Sequence, residues 1–131
     1  MLQVESKLKI VDNSGGKWCK CISVRKKGKK PSAKIGMLIL IVLKKISSRK
    51  KVKKRIKYIG LIVGIRYWIK RLDGTFIKCF SNNLLLFSKQ FKFIGTRIYG
   101  TVLKDIKITG LKDKKNRKYF NKIFSYSSSI I

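Results

Sequence analysis

The residues of this 131-residue chain that carry chemistry are 34 lysines and arginines against five carboxylates, three cysteines and no histidine. Without histidine the usual general base is missing. Glu5, Asp12, Asp73, Asp105 and Asp113 are scattered and offer no obvious cluster for a two-metal site. Cys19 and Cys21 stand one residue apart and Cys79 is alone, whereas a structural zinc asks for four ligands, commonly at wider spacing or with histidine partners. On a strand, Cys19 and Cys21 point to one face, which suits small buried thiols. A disulfide scaffold does not fit a chain of this size and apolar content. The expectation is a protein that is not an enzyme, with no metal site and no cofactor.

What remains is cation chemistry. The formal net charge is +29, and with no histidine it does not change near neutral pH. Spread over the surface of a folded chain of this mass, about 7,000 Å², this is one excess positive charge per roughly 250 Å², self-repelling unless a polyanion neutralises it. The hydrophobic fraction of 44% is that of a globular domain and too high for a disordered basic tail. The sequence therefore predicts a folded core under a cationic coat, with a polyanion as partner.

The elements that position these cations read as short strands. Lys7 to Asp12 alternates charged and apolar residues, and Asn13-Ser14-Gly15-Gly16 is a turn. Gly15-Gly16 lacks the strand–helix context of a phosphate loop. Lys17 to Arg25 alternates again, and Lys26-Lys27-Gly28-Lys29-Lys30-Pro31-Ser32 is a basic loop. Gly36 to Leu43 reads as a core strand. The run Arg49-Lys50-Lys51-Val52-Lys53-Lys54-Arg55 cannot pack on itself and reads as a solvated or RNA-facing loop. Ile56 to Trp68 is a second long apolar strand, Leu72-Asp73-Gly74-Thr75 a hairpin turn, and Phe76–Phe80 and Leu84–Ser88 are short strands. Tyr99 and Val102 read as packing residues and Arg97 as a positioned cation. Leu103 to Ile108 reads as one or two helical turns, Lys112 to Lys122 is basic, and the serine-rich 125–131 reads as irregular. Many short strands with turn signals and little helical period predict a mainly β fold, a small closed barrel.

The longest apolar run, Ile35 to Leu43, is too short to span a bilayer, which takes about 20 residues. The N-terminus has no secretory pattern and is not an arginine-rich transit helix. No amphipathic basic helix is long enough for a membrane-surface role, so no membrane insertion is expected.

Four blocks in order resemble the universal large-subunit ribosomal protein fourteen family. They are Met1-Leu2-Gln3 with Val11-Asp12-Asn13-Ser14-Gly15-Gly16; Lys51-Val52-Lys53-Lys54; Gly60-Leu61-Ile62-Val63 followed by Asp73-Gly74 and Asn82; and Gly95-Thr96-Arg97-Ile98-Tyr99-Gly100. The resemblance is collinear from residue 1 to about 106. Departures include Cys79 where the family favours an aromatic, Met37 and Arg55-Ile56 where it has Gly-Asp or its acid, and Leu72 for its proline. The chain from Ile108 onward reads as longer than and unlike the family's.

The resemblance implies a five-stranded β-barrel with a short C-terminal helical appendage. Residues 1–107 would be the rRNA-binding barrel and 108–131 a divergent basic extension of the same domain. It implies a structural constituent of the large subunit, bound to large-subunit rRNA near the subunit interface. Further expected partners are small-subunit rRNA at an intersubunit bridge, neighbouring large-subunit ribosomal proteins, and an assembly or anti-association factor. The expected rRNA contacts are Asn13, Ser14, Lys17, Lys26, Lys27, Lys29, Lys30, Arg49, Lys50, Lys51, Lys53, Lys54, Arg55, Arg66, Lys70, Arg71 and Arg97. Arginine is weighted because its guanidinium clamps phosphate bidentately or stacks on a base. Trp18, Tyr67, Trp68 and Tyr99 are candidates for base stacking, with barrel packing as the favoured reading.

Two other functions fit the same charge. A free-standing basic β-barrel nucleic-acid-binding protein would show exposed aromatics on one sheet face. A membrane-active cationic protein would bind anionic vesicles through a helix. The abundance of Ile, Lys, Phe, Asn and Ser, with Ala33 and Pro31 the only alanine and proline, suggests an AT-rich genome. The expected source is an organelle-encoded, mitochondrial protein, with a plastid or an AT-rich bacterium as the alternative.

Overall fold

A computed structural model of the chain describes residues 1–24, 32–47, 52–106 and 117–131, with the backbone alone at 117–120. Five strands close into a barrel: β1 (Lys7–Ile10), β2 (Gly16–Val24), β3 (Leu38–Ile46), β4 (Lys57–Gly64) and β7 (Asn83–Phe87). Neighbours run antiparallel except at the closure, where β1 pairs parallel with β7. The sheet therefore has no open edge, which removes the unpaired backbone groups that make edges aggregation-prone. Leu8, Cys19, Ile41, Leu43, Leu61, Leu84 and Leu86 fill the interior, almost wholly out of solvent. Cys19 and Cys21 are free thiols in that core. Burial pushes the Cys19 thiol up to about 12, so it stays protonated and behaves as a small apolar group.

The long apolar strand expected over 56–68 ends early. β4 stops at Gly64, and the chain leaves the barrel at Arg66, whose backbone N–H donates to Asn82 Oδ1 at 2.8 Å. Beyond that break, β5 (Ile69–Lys70) and β6 (Phe76–Ile77) form a separate hairpin. Its turn is the expected Asp-Gly one: Gly74 sits at φ +83°, and Asp73 Oδ1 accepts from the Thr75 N–H at 2.9 Å and the Thr75 hydroxyl at 2.6 Å. At β3 the boundaries shift the other way. Gly36, at φ +76°, belongs to the preceding turn, and the strand continues through Lys44 and Lys45 to Ile46 because β2 pairs with it that far.

Outside the barrel, β8 (Ile98–Val102) pairs in parallel with β9 (Ser127–Ile130), and α1 (Arg117–Tyr126) lies between them in sequence. The serine-rich end is thus a strand rather than irregular chain. Backbone pairing overrides its poor composition: the Lys104 N–H donates to Ile131 O at 2.8 Å and the Ile131 N–H to Val102 O at 3.0 Å. Ile123 anchors α1 in the core, and Tyr126 meets Phe93 edge-on at 6.1 Å. No helix among the described residues is long and apolar enough to cross a membrane.

Candidate nucleic-acid interface

Two of the sequence blocks that stand far apart in the chain close on each other. Asn13 Oδ1 accepts from the Thr96 N–H at 2.7 Å, and Asn13 Nδ2 donates to the Thr96 hydroxyl at 2.9 Å. The Tyr99 N–H donates to Val11 O at 2.8 Å, laying β8 along residues 11–13. Glycine is required at two points of this clasp, since a Cβ on Gly95 would lie 2.9 Å from the Asp12 Cβ and one on Gly100 would lie 2.7 Å from the Val11 side chain. Underneath, Asp12 is 8% exposed. One of its carboxylate oxygens accepts from both the N–H and the hydroxyl of Ser14, and the other from the Leu86 N–H at 2.8 Å. Burial raises the Asp12 pKa, and these three donors oppose the rise.

The expected contacts at this motif therefore divide. Ser14 is 1% exposed and its hydroxyl is turned inward to Asp12, so it presents nothing to a partner. The Asn13 side chain is half-buried and held by the clasp. Lys17 and Arg97, flanking the same clasp, are exposed. Tyr99, expected to pack, is 68% exposed, because β8 turns this position outward while Ile98 and Val102 face the core.

Lys53, Lys54 and Arg55 are exposed on a turn held at both ends. Val52 is buried, and the Lys53 N–H donates to the Tyr58 hydroxyl at 3.0 Å. Lys26, Lys27, Lys29, Lys30, Arg49, Lys50 and Lys51 lie outside the described residues. On the hairpin side, Arg66 and Lys70 are exposed, and Lys70 shares a largely apolar hollow of about 450 Å³ with Lys34, Tyr67 and Trp68. Lys78 Nζ sits 5.5 Å from the centre of the Trp68 ring, a cation–π contact. Arg71 differs from the other expected cations. Its guanidinium donates to Asp105 Oδ2 at 3.0 and 2.9 Å and to Ile131 O at 3.0 Å, tying the hairpin to the chain's C-terminal end.

The outer face of β1–β2–β3 is the cationic surface that the expected contacts mostly missed. Trp18 is opposite Lys9 on β1 and Lys45 on β3, and Lys20 is opposite Lys7. Their positions were readable, because Lys7 and Lys9, and likewise Trp18 and Lys20, alternate with core residues at strand period. Trp18 is 45% exposed rather than packed.

The four described carboxylates leave this coat nearly uncompensated. Asp12 is buried, Asp105 is paired with Arg71, Asp73 is tied to its own turn, and Glu5 meets Lys20 Nζ at 2.8 Å. The Lys20 hydrogen bond and charge hold the Glu5 carboxyl below its ordinary value.

A sequence model of the family described as Ribosomal protein L14p/L23e matches residues 1–131. The chain is 38% identical over 131 residues to the large ribosomal subunit protein uL14 of Carsonella ruddii (strain PV), covering 100% of both chains. Both matches run to Ile131. The end of the chain, read from sequence as longer than and unlike the family's, falls within the family's span.

Proposed function

Because this chain belongs to the ribosomal protein L14p/L23e family, we propose that it binds large-subunit rRNA near the subunit interface and helps form a bridge to small-subunit rRNA. The protein is a large-subunit ribosomal protein, a structural component rather than an enzyme. Its partners are rRNA and other ribosomal proteins. In our reading an assembly or anti-association factor also docks on it, and residues 1–107 form the β-barrel rRNA-binding domain, with 108–131 as a divergent basic extension of the same domain.

The observation that carries the rRNA reading is the disposition of charge. Rigid strands and anchored turns direct lysines and arginines outward, while the described carboxylates are buried, paired or held in a turn. Such a surface neutralises phosphates and releases their counterions, and it positions the barrel without reading bases. We assign these contacts to Lys17, Lys53, Lys54, Arg55, Arg66, Lys70 and Arg97, and to the basic residues of 26–30 and 49–51. Asn13, Ser14 and Arg71 act from within, by holding the clasp and the hairpin in place.

Binding of the purified protein to isolated large-subunit rRNA tests this. With about six phosphate contacts, affinity falls by roughly a thousandfold between 50 and 200 mM salt. A salt-independent affinity would contradict the reading.

An AT-rich genome of origin is supported by the composition. The mitochondrial source rests on that bias alone, and the bacterial relative favours the AT-rich bacterial alternative. Fractionation of organellar from cytoplasmic ribosomes separates the two.

A further inference from the structure

We propose that Trp18 is a stacking platform for an unpaired base of the bound RNA. The inference deepens the rRNA-binding reading and rests on it. Trp18 projects from the first part of β2, opposite Lys9 and Lys45, and is 45% exposed. It borders two hollows. One, of about 440 Å³, also contains Lys9, Lys17 and Ser47; the other, of about 650 Å³, contains Lys7, Lys20 and Lys44.

An exposed tryptophan on a rigid strand is a large flat apolar surface that water covers poorly, and its surroundings state what covers it. A protein partner with an apolar patch would have to desolvate this ring of lysines without supplying anions, which is costly. A nucleotide supplies both parts, since its base lies on the indole while its phosphate meets a lysine in either hollow. Stacking of this kind is indifferent to base identity because every base has a π-face. Paired bases are already stacked within their helix, so the site selects a looped-out or single-stranded nucleotide.

The test uses the full chain carrying Trp68→Phe, which leaves Trp18 as the sole tryptophan of the two. Its fluorescence is followed on addition of a single-stranded RNA and of an RNA duplex of equal length. The expected result is quenching by the single strand and none by the duplex, although both bind. Trp18→Leu is expected to weaken single-strand affinity about tenfold and leave duplex affinity unchanged. Binding of both RNAs without Trp18 quenching would overturn the stacking proposal while leaving the rRNA reading intact. Binding of neither at low salt would overturn the rRNA reading, and the proposal with it. In assembled large subunits, Trp18→Leu is expected to raise the chemical reactivity of one unpaired rRNA base. If a protein neighbour covers this face instead, no rRNA reactivity changes, and the proposal falls.

Discussion

Asp12 shows how a single residue fixes the geometry that surface cations depend on. Its carboxylate receives three donors, from Ser14 and Leu86, in a buried site. Asp12→Asn would turn an amide N–H₂ toward one of those donors, and a lost buried hydrogen bond with an unsatisfied donor costs about 1–3 kcal/mol. Chemical denaturation near neutral pH is expected to show that loss. The pH dependence has a definite sign. Burial raises the folded pKa above 3.8, so the folded state holds the proton more tightly than the unfolded chain. That contribution is fully present below 3.8 and is lost as pH rises through the folded value. Across this window the stability of the wild type relative to Asp12→Asn should fall as pH rises. In the sequence, Asp12-Asn13-Ser14 was visible as a motif, but its role was not. Nothing local says that the partner of Asn13 lies 83 residues further on.

At the scale of elements, the barrel strands were the legible part, because alternation at period two reports a half-buried sheet directly. The early end of β4 was not legible, since Ile65, Tyr67 and Trp68 prolong its apolar pattern around Arg66 and the break depends on Asn82 reaching back to the Arg66 N–H. β9 was illegible for a similar reason: serine has little preference for strands, and the pairing that makes one is supplied by β8. Arg71 joins these two pieces. Its contacts with Asp105 and Ile131 hold the hairpin against the C-terminal end. Arg71→Ala is expected to lower overall stability by about 1–2 kcal/mol, the range for hydrogen bonds to a charged group that is partly exposed. Amide hydrogen exchange should rise at 127–131 well before it rises in β3 and β4. Uniform exchange across both regions would show that the clamp is not local.

For the molecule as a whole, the fold separates two jobs that the sequence mixes. Among the described residues, apolar side chains fill a closed barrel, Asp12 and Asp105 act as internal ties, and most lysines and arginines are exposed. The net charge of the chain is +29. It opposes an isolated monomer through self-repulsion and favours assembly on a polyanion. Such a barrel belongs in the large ribosomal subunit, in contact with its rRNA. This is tested by sedimentation of the endogenous protein through a sucrose gradient in moderately high salt, with ultraviolet crosslinking of the fractions. The expected result is that the protein travels with the large subunit and crosslinks to large-subunit rRNA. Protein confined to the top of the gradient, or travelling with the subunit but crosslinked to proteins alone, would contradict it.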